Sequence, residues 1–444
     1  MPFARTATEG NMKVLYTLTL FALFGLSAYA QAPVAAVATA PDSAAALRLE
    51  SFNKVWNTVN DRHYDPTFGG VDWKQVGETY RPKALAAATD DELYSVLRKM
   101  LGELKLSHFG IYPKDMAAQI AGAASIGVEL KIIDGQPVIE YVEPGSTAQI
   151  ARLKPGFIVT KIGGTPTGDL LKPLENSFAG RSLSDRMKMV YRERTLEAFI
   201  SGSAGSTASV EVLNAADKRQ VFEAIRKPFA GEMSKPLGNF PPQPVIFESK
   251  LLPENIGYIR FNMWVIPQMA NLRTAIRGFS SARAIIFDLR GNPGGVGGMA
   301  SGIAGLMVAK ESSLGTMRSR NGSSDFTIFP QTDPYQGTIV ILTDYGTGST
   351  SEVFAAGMQD IGRATVIGGT TAGAVLPSVF DKLPTGAIFQ YAISDYRTPK
   401  NILLEGRGVI PDITVSQTRK SLLADRDAQL EAAVNFINTR NSVK

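Results

Sequence analysis

Two short runs, Ala284-Ile285-Ile286-Phe287-Asp288 and Thr338-Ile339-Val340-Ile341-Leu342-Thr343, do most to limit what this chain can fold into. Each is apolar at nearly every position instead of every second one, and each is short for a helix. Such runs are expected of strands covered on both faces, as in a parallel sheet with helices above and below. Each gives way to a glycine-containing loop, Arg290-Gly291-Asn292-Pro293-Gly294-Gly295 after the first and Tyr345-Gly346-Thr347-Gly348-Ser349 after the second. A third run, 364–367, leads into Gly368-Gly369-Thr370-Thr371-Ala372-Gly373, and 256–261 supplies a further strand. Strands alternating with helical patterns predict an α/β core over 231–444. Ligands of open α/β sheets bind beyond the carboxyl ends of the strands, so the three loops are expected to face one crevice.

The remainder of the 444 residues divides by pattern. At that length two or three domains are expected, and a composition 44% apolar and 20% charged is that of a folded chain. Met12-Lys13, an apolar stretch over 14–26 and Ala28-Tyr29-Ala30 before Gln31 have the three-part layout of a secretory signal peptide, placed at 1–30. An Ala- and Pro-rich linker follows over 31–46. Helical spacing of Phe52, Val55 and Val59, and of Leu93, Val96, Leu97, Met100, Leu101 and Leu104, predicts a small helical domain over 47–122. Between 123 and 230 short strands at 127–133, 137–141, 157–162 and 208–212, separated by turn pairs such as Asp134-Gly135 and Gly163-Gly164, predict a compact β-rich insert. The expected address is periplasmic or secreted, with no stable membrane span after signal cleavage.

Composition excludes several chemistries. With no cysteine there is no disulfide, thiolate catalysis or cysteine-ligated metal. The formal net charge is +5, but the bases are scattered without interleaved aromatics, so no nucleic-acid partner is expected. The glycine loop Gly295-Val296-Gly297-Gly298-Met299-Ala300 approximates a dinucleotide fingerprint, yet it lacks the acidic ribose partner and the Lys-Ser/Thr of a phosphate loop. What it offers is unhindered backbone N–H groups, which an oxyanion hole requires.

In Gly348-Ser349-Thr350-Ser351-Glu352 the pattern fits a capping box, with Ser349 as N-cap and Glu352 as its reciprocal partner. It equally suits a nucleophile at a helix start. The chain has two histidines. His63, before a turn, reads as structural, while His108 follows Ser107 where a helix gives way to a turn that can project an imidazole into a cleft.

Leu101-Gly102-Glu103-Leu104-Lys105-Leu106-Ser107-His108, the module opening Ser125-Ile126-Gly127-Val128, Asp288 to Gly295, Gly348 to Asp360, and Glu405-Gly406-Arg407-Gly408-Val409-Ile410-Pro411-Asp412 occur in that order. Together they resemble the tail-specific, or C-terminal-processing, serine protease family, which includes the tricorn core protease. The resemblance implies a helical N-terminal part, a PDZ domain inserted at 123–230 and a ClpP/crotonase-like α/β core that cuts peptide bonds without metal or cofactor. In the better-known branch the serine is paired with a lysine, but that position is Ala374 here, which argues against a Ser-Lys dyad.

The tricorn-like branch uses a serine-histidine pair and a late glutamate, matched by Ser107, His108 and Glu405. The resemblance therefore implies Ser349 as nucleophile and His108 as general base, oriented or stabilised by Ser107 and Glu405. Backbone N–H groups of Gly294 or Gly295 and of Thr350 would hold the oxyanion. Ser125, Ile126, Gly127 and Val128 align with the loop by which PDZ domains capture a peptide carboxylate. The expected substrate is an exported or unfolded protein or peptide. The rival reading is a non-catalytic family member, a ligand-binding or PDZ scaffold protein like the vertebrate interphotoreceptor retinoid-binding modules. Such a protein has no need to keep hydroxyl, imidazole, carboxylate and glycine loop together.

Overall fold

The two apolar runs are central strands of a six-stranded sheet, in which Phe247–Leu252, Ile256–Phe261, Ala284–Asp288, Thr338–Thr343, Thr365–Gly368 and Ile413–Thr414 lie side by side in that order. The computed structural model describes residues 43–115, 123–178 and 183–441, so the expected signal peptide lies outside the described residues. Only the first strand is antiparallel; the other pairings are parallel. Successive side chains of a strand point to opposite faces. Ile285, Phe287, Ile339 and Ile341 accordingly join one core with the helices Gln268–Gly278, Gly298–Ala304 and Thr350–Asp360. Ala284, Ile286, Val340 and Leu342 join another with Ala433 and Ile437 of the helix Ala428–Asn441. A sheet covered on both faces is what the lack of alternation predicts.

Three helices, Ser43–Arg62, Trp73–Leu85 and Asp90–Gly102, form the N-terminal unit. The first begins inside the stretch read as a linker, because Ala44, Ala45 and Ala46 are strong helix formers. Phe52, Val55, Val59, Leu93, Leu97, Met100 and Leu101 are buried as their spacing predicts. Their core is shared, however. It is completed by Leu383, Ala387, Phe389 and Tyr391, which come from far along the chain. The link is a strand, Gly110–Tyr112, that pairs with Ile388–Ala392, itself paired with Ser378–Lys382. This strand follows Ser107 and His108 directly, so the pairing that seats the helical unit also anchors those two residues.

The insert builds a sheet in the order Val128–Ile133, Gln136–Val142, Ile158–Ile162, Thr207–Leu213 and Arg219–Ile225. Helices Thr167–Phe178 and Asp185–Ile200 pack on it, the latter against the edge strand Val128–Ile133. One face of that helix turns to the core instead, where Met187 and Tyr191 pack against Ala372 and Ala374. Polar ties add to this: Arg419 donates to the carbonyls of Gly156 and Asn214, and Arg260 pairs with Glu129 at 2.7 Å.

Phe389 is fully buried between the helical unit and the core hairpin and stacks on Tyr391. Phe389→Ala is expected to cost about 3–5 kcal/mol. Thermal unfolding followed by circular dichroism should show a clearly lowered transition; an unshifted one would mean the helical unit does not depend on the hairpin.

Candidate active site

Ser349 ends the loop after the strand Thr338–Thr343 and precedes the helix Thr350–Asp360. Its backbone sits at φ 50, ψ −119, a region a residue with a Cβ enters only when its surroundings force it. The contacts around the turn force it there. Glu352 is fully buried, and its carboxylate accepts the N–H groups of Ser349 (3.1 Å), Gly373 (2.8 Å) and Ala374 (3.0 Å) and the Thr371 hydroxyl. The Ser349 N–H also faces the Ala374 carbonyl at 2.8 Å. Burial pushes the Glu352 carboxyl up to about 7, against the pull of these donors.

The capping box is therefore half formed. Glu352 plays its part, but the Ser349 hydroxyl makes no capping hydrogen bond. Its Oγ points to His108, with Nε2 3.3 Å away. The strained backbone turns the side chain off the helix end and into the crevice, so the hydroxyl is free for chemistry.

From His108 the contacts continue inward. Nδ1 lies 2.7 Å from Ser107 Oγ, and Ser107 Oγ donates to Glu405 Oε2 at 3.0 Å. Glu405 also accepts the Ser107 N–H at 2.7 Å and the Val375 N–H at 3.1 Å. Since Ser107 gives its proton to the carboxylate, it accepts from Nδ1–H, and that tautomer leaves the Nε2 lone pair facing Ser349. Burial lowers the His108 pKa to about 4, so the imidazole is neutral at pH 7 and able to take a proton. The glutamate does not touch the imidazole; the serine hydroxyl bridges them.

His63 is structural. It is buried, its Nδ1 lies 2.8 Å from the Asp65 carbonyl oxygen, to which it donates, and its ring stacks on Tyr64 and on Phe109, the neighbour of His108.

The glycine loop lies against the nucleophile. A Cβ on Gly294 would stand 2.6 Å from Ser349 Cβ, and one on Gly295 2.2 Å from the Trp264 carbonyl oxygen. Both glycines also hold φ values of +100 and +139 that exclude side chains. The Gly294 N–H is taken, donating to Asn292 Oδ1 at 3.0 Å. The N–H groups of Gly295 and Thr350 have no hydrogen-bond partner among the described residues, and both residues line the crevice. Asn292, which the pattern reading passed over, ties loop to helix. Its side chain donates to the Phe261 carbonyl and accepts from Ser351, and Ser351 in turn accepts from Trp264 Nε1. Its place inside Arg290-Gly291-Asn292-Pro293-Gly294-Gly295 was the available signal.

The crevice is a cavity of about 610 Å³. Met263, Val296, Met317, Phe326 and Val353 give it an apolar wall, Ala374 stands where a lysine would be needed, and no lysine lines it. The buried Lys131 is held nearby by Asp344 at 2.5 Å and Glu193 at 3.7 Å.

Ser125, Ile126, Gly127 and Val128 lie away from this cavity. Ser125 is in a short strand paired with Lys227–Pro228, and Gly127, at φ +82, donates weakly to Ser125 Oγ. The outer donors of the adjoining edge strand are occupied. Leu130 N–H donates to Glu197 Oε1 at 3.0 Å, and Ile132 N–H to Glu193 Oε1 at 2.8 Å. Tyr345, four residues before the nucleophile, hydrogen-bonds to Glu193 as well.

A hydroxyl, a neutral imidazole, a bridging serine, a half-buried glutamate and two unpartnered N–H groups brought together in one crevice are the parts that serine peptidases use. Comparison with known proteins agrees. Residues 255–415 match peptidase family S41, and residues 45–102 match the tricorn protease C1 domain. The carboxyl-terminal-processing protease of Synechocystis sp. is 24% identical over 397 residues, covering 86% of this chain and 85% of that protein. Among solved structures, the photosystem II D1 C-terminal processing protease superposes with a TM-score of 0.56 at 20% identity, over 83% of this chain and 93% of that one. Mature CPAF complexed with lactacystin gives 0.60 at 13% identity, over 89% and 98%. Peptidase family S41 is thus what residues 255–415 of this chain are similar to.

Glu352→Gln keeps size but replaces an acceptor oxygen with a donor facing backbone N–H groups. Leaving such buried donors unpaired costs about 1–3 kcal/mol. Urea unfolding should show that loss together with reduced turnover; wild-type stability and turnover in the variant would show that the carboxylate does not hold the turn.

Proposed function

We propose that this peptidase hydrolyses exported or unfolded proteins and peptides through a tricorn-like Ser-His set in place of a Ser-Lys dyad. The observation that carries the reading is the unbroken line of contacts from Ser349 through His108 and Ser107 to Glu405. His108 Nε2 takes the Ser349 proton as Oγ attacks the substrate carbonyl carbon. The developing oxyanion is held by the N–H groups of Gly295 and Thr350, with the positive end of the helix Thr350–Asp360 adding to the field. The Ser107 hydroxyl and the Glu405 carboxylate stabilise the imidazolium. His108 then protonates the leaving amine, and as that product departs it deprotonates the water that cleaves the acyl-enzyme.

The domain reading goes with this. Residues 47–122 form the helical part, 123–230 a PDZ-like insert and 231–444 a ClpP/crotonase-like core, in a protein exported by the signal at 1–30. No helix among the described residues is long and apolar enough to cross a membrane. In the insert, Ser125, Ile126, Gly127 and Val128 form the peptide-binding loop, beside an edge strand whose donors are now held by Glu193 and Glu197. A peptide strand adds there only by displacing those carboxylates.

The test is cleavage of unfolded protein and apolar peptides by the purified chain beside Ser349→Ala and His108→Ala. Each variant should lose about 10³-fold or more in kcat/KM. Equal cleavage by all three proteins would remove the assignment.

The pH dependence follows from the burial of His108. Activity should rise with pH as the imidazole loses its proton near 4 and stay level through neutrality. Because the folded pKa lies below the usual 6.5, His108 contributes stability that is complete above 6.5 and is lost as pH falls through about 4. A kcat/KM profile with its acid limb at 6.5 would show the base to be solvated.

A further inference from the structure

The central sheet has one open edge on the side away from the catalytic crevice. Its end strand, Phe247-Glu248-Ser249-Lys250-Leu251-Leu252, pairs only with Ile256–Phe261 among the described residues. The parity of that pairing follows from one bond. The Asn262 N–H donates to the Ile246 carbonyl, and in an antiparallel pair the bonded residues recur at every second position, so the backbone groups of Glu248, Lys250 and Leu252 face inward. Those of Phe247, Ser249 and Leu251 point outward, and no partner for them exists among the described residues. Such an edge is a template for another strand unless proline, a bulge or uncompensated charge blunts it. This one holds no proline and runs without a register shift, and Glu248 neutralises Lys250 at 2.7 Å. Apolar side chains stand open beside it, Ile246 at 52% exposure and Leu251 at 59%.

The side chains of this strand complement their own order run backwards. When a second copy is turned about an axis through Ser249, Glu248 comes opposite Lys250, Phe247 opposite Leu251, and Ile246 opposite Leu252. Opposite charges and apolar pairs set across from one another stabilise a sheet, and like charges do the reverse. Other two-fold registers lack this match. Centring on Glu248 or on Lys250 sets that charge against its own copy, and centring on Leu251 brings Glu248 opposite Glu254. Centring on Phe247 sets Lys250 against Pro244 and Glu248 against Ile246. We propose that the protein forms a two-fold dimer in which this strand pairs antiparallel with the same strand of a second copy, centred on Ser249, joining the two six-stranded sheets into one. The inference does not depend on the peptidase reading.

A groove beside the strand fits the same arrangement. Phe247 and Ser249 line it with Thr274, Ala275 and Gly278 of the helix Gln268–Gly278 and with Phe279, around a volume of about 340 Å³. Residues opposite one another in an antiparallel pair project to the same face, so Leu251 of the second copy, facing Phe247, lies on the groove side. The helix wall there is built of small residues, which leaves room for a leucine. Symmetry fills the second groove in the same way, and each copy takes one exposed leucine out of water. On the opposite face Glu248 and Lys250 exchange their pairing within one strand for pairing between strands. The outward backbone groups of Phe247, Ser249 and Leu251 find their partners in the same step.

Sedimentation velocity of the purified chain over a concentration series tests the dimer, with folding of every variant checked by circular dichroism. The wild type should sediment as a dimer that dissociates on dilution. Ser249→Pro removes an outward N–H and no bond of the existing ladder, so the fold should stand while association is lost. Lys250→Glu sets like charges opposite each other on both sides of the axis and should raise the dimer Kd by about tenfold or more. Glu248→Lys combined with Lys250→Glu exchanges the charges and should restore association, which an effect on the single copy would not do. The chain has no cysteine, so Ser249→Cys gives one thiol per copy. Bonded residues directly opposite each other have Cα atoms about 5.5 Å apart, within the span of a disulfide. Mild oxidation should link Ser249→Cys into a covalent dimer and leave Ser203→Cys, at an exposed position of the insert, unlinked.

A wild type that stays monomeric at every concentration overturns the proposal. So does a dimer whose Kd is unchanged by Ser249→Pro, since its interface lies elsewhere. If Ser249→Pro does not fold, the charge exchange and the cross-link decide. Failure of the double exchange to recover what Lys250→Glu loses, or equal linking of Ser249→Cys and Ser203→Cys, rejects the pairing centred on Ser249.

Discussion

The candidate site depends on holding one backbone turn where a serine does not go by itself. The φ of 50 at Ser349 is held by the buried Glu352 carboxylate, which collects the N–H groups of Ser349, Gly373 and Ala374. The donors offset part of the cost of burying that charge, and removing either side would leave polar groups unpaired in the core. The glycine loop is fixed from the opposite side by Asn292, which accepts from both Gly294 and Ser351. One buried acid and one buried amide thus register the Ser349 hydroxyl and the N–H groups of Gly295 and Thr350 against each other.

The imidazole comes from another part of the chain. His108 stands between the helical unit and the strand Gly110–Tyr112, and reaches Ser349 because that strand pairs with Ile388–Ala392 of the core. Its backbone too lies at positive φ, 59, so both reacting residues occupy conformations their surroundings must enforce. With Ser107 between imidazole and Glu405, the carboxylate acts through a hydroxyl, which fixes the tautomer without placing a full charge against the ring. Burial does the rest by keeping the imidazole neutral.

The insert is more than an appended module. Lys131 of its edge strand pairs with Asp344, and Glu193 of its helix meets Tyr345, both in the loop that leads to the nucleophile. Asp344 in turn accepts the N–H groups of Gly291 and Gly346. The insert is therefore tied to the loops that carry the site, and the same helix contributes Met187, Val190 and Arg194 to the cavity wall.

Much of this was legible in the amino-acid order. Apolar runs without alternation specified a sheet covered on both faces, glycine loops after them located the crevice, and Ser349, His108, Ser107 and Glu405 were named through the family resemblance that the ordered motifs carry. Ala374 already argued against a lysine base. The capping box was legible too, but only half of it forms, since a pattern of residue types cannot say which way a hydroxyl turns once the backbone is strained. Sequence also left open which glycine N–H is free, a matter decided by the Asn292 side chain folding back on Gly294. Nor could it reveal the closed insert edge. Local propensity and apolar period act over a few residues, and they determined the elements and the chemistry the chain carries. The distances that make a hydroxyl, an imidazole and a carboxylate into one site span 241 and 298 residues of separation, and those only long-range packing and buried hydrogen bonds could decide.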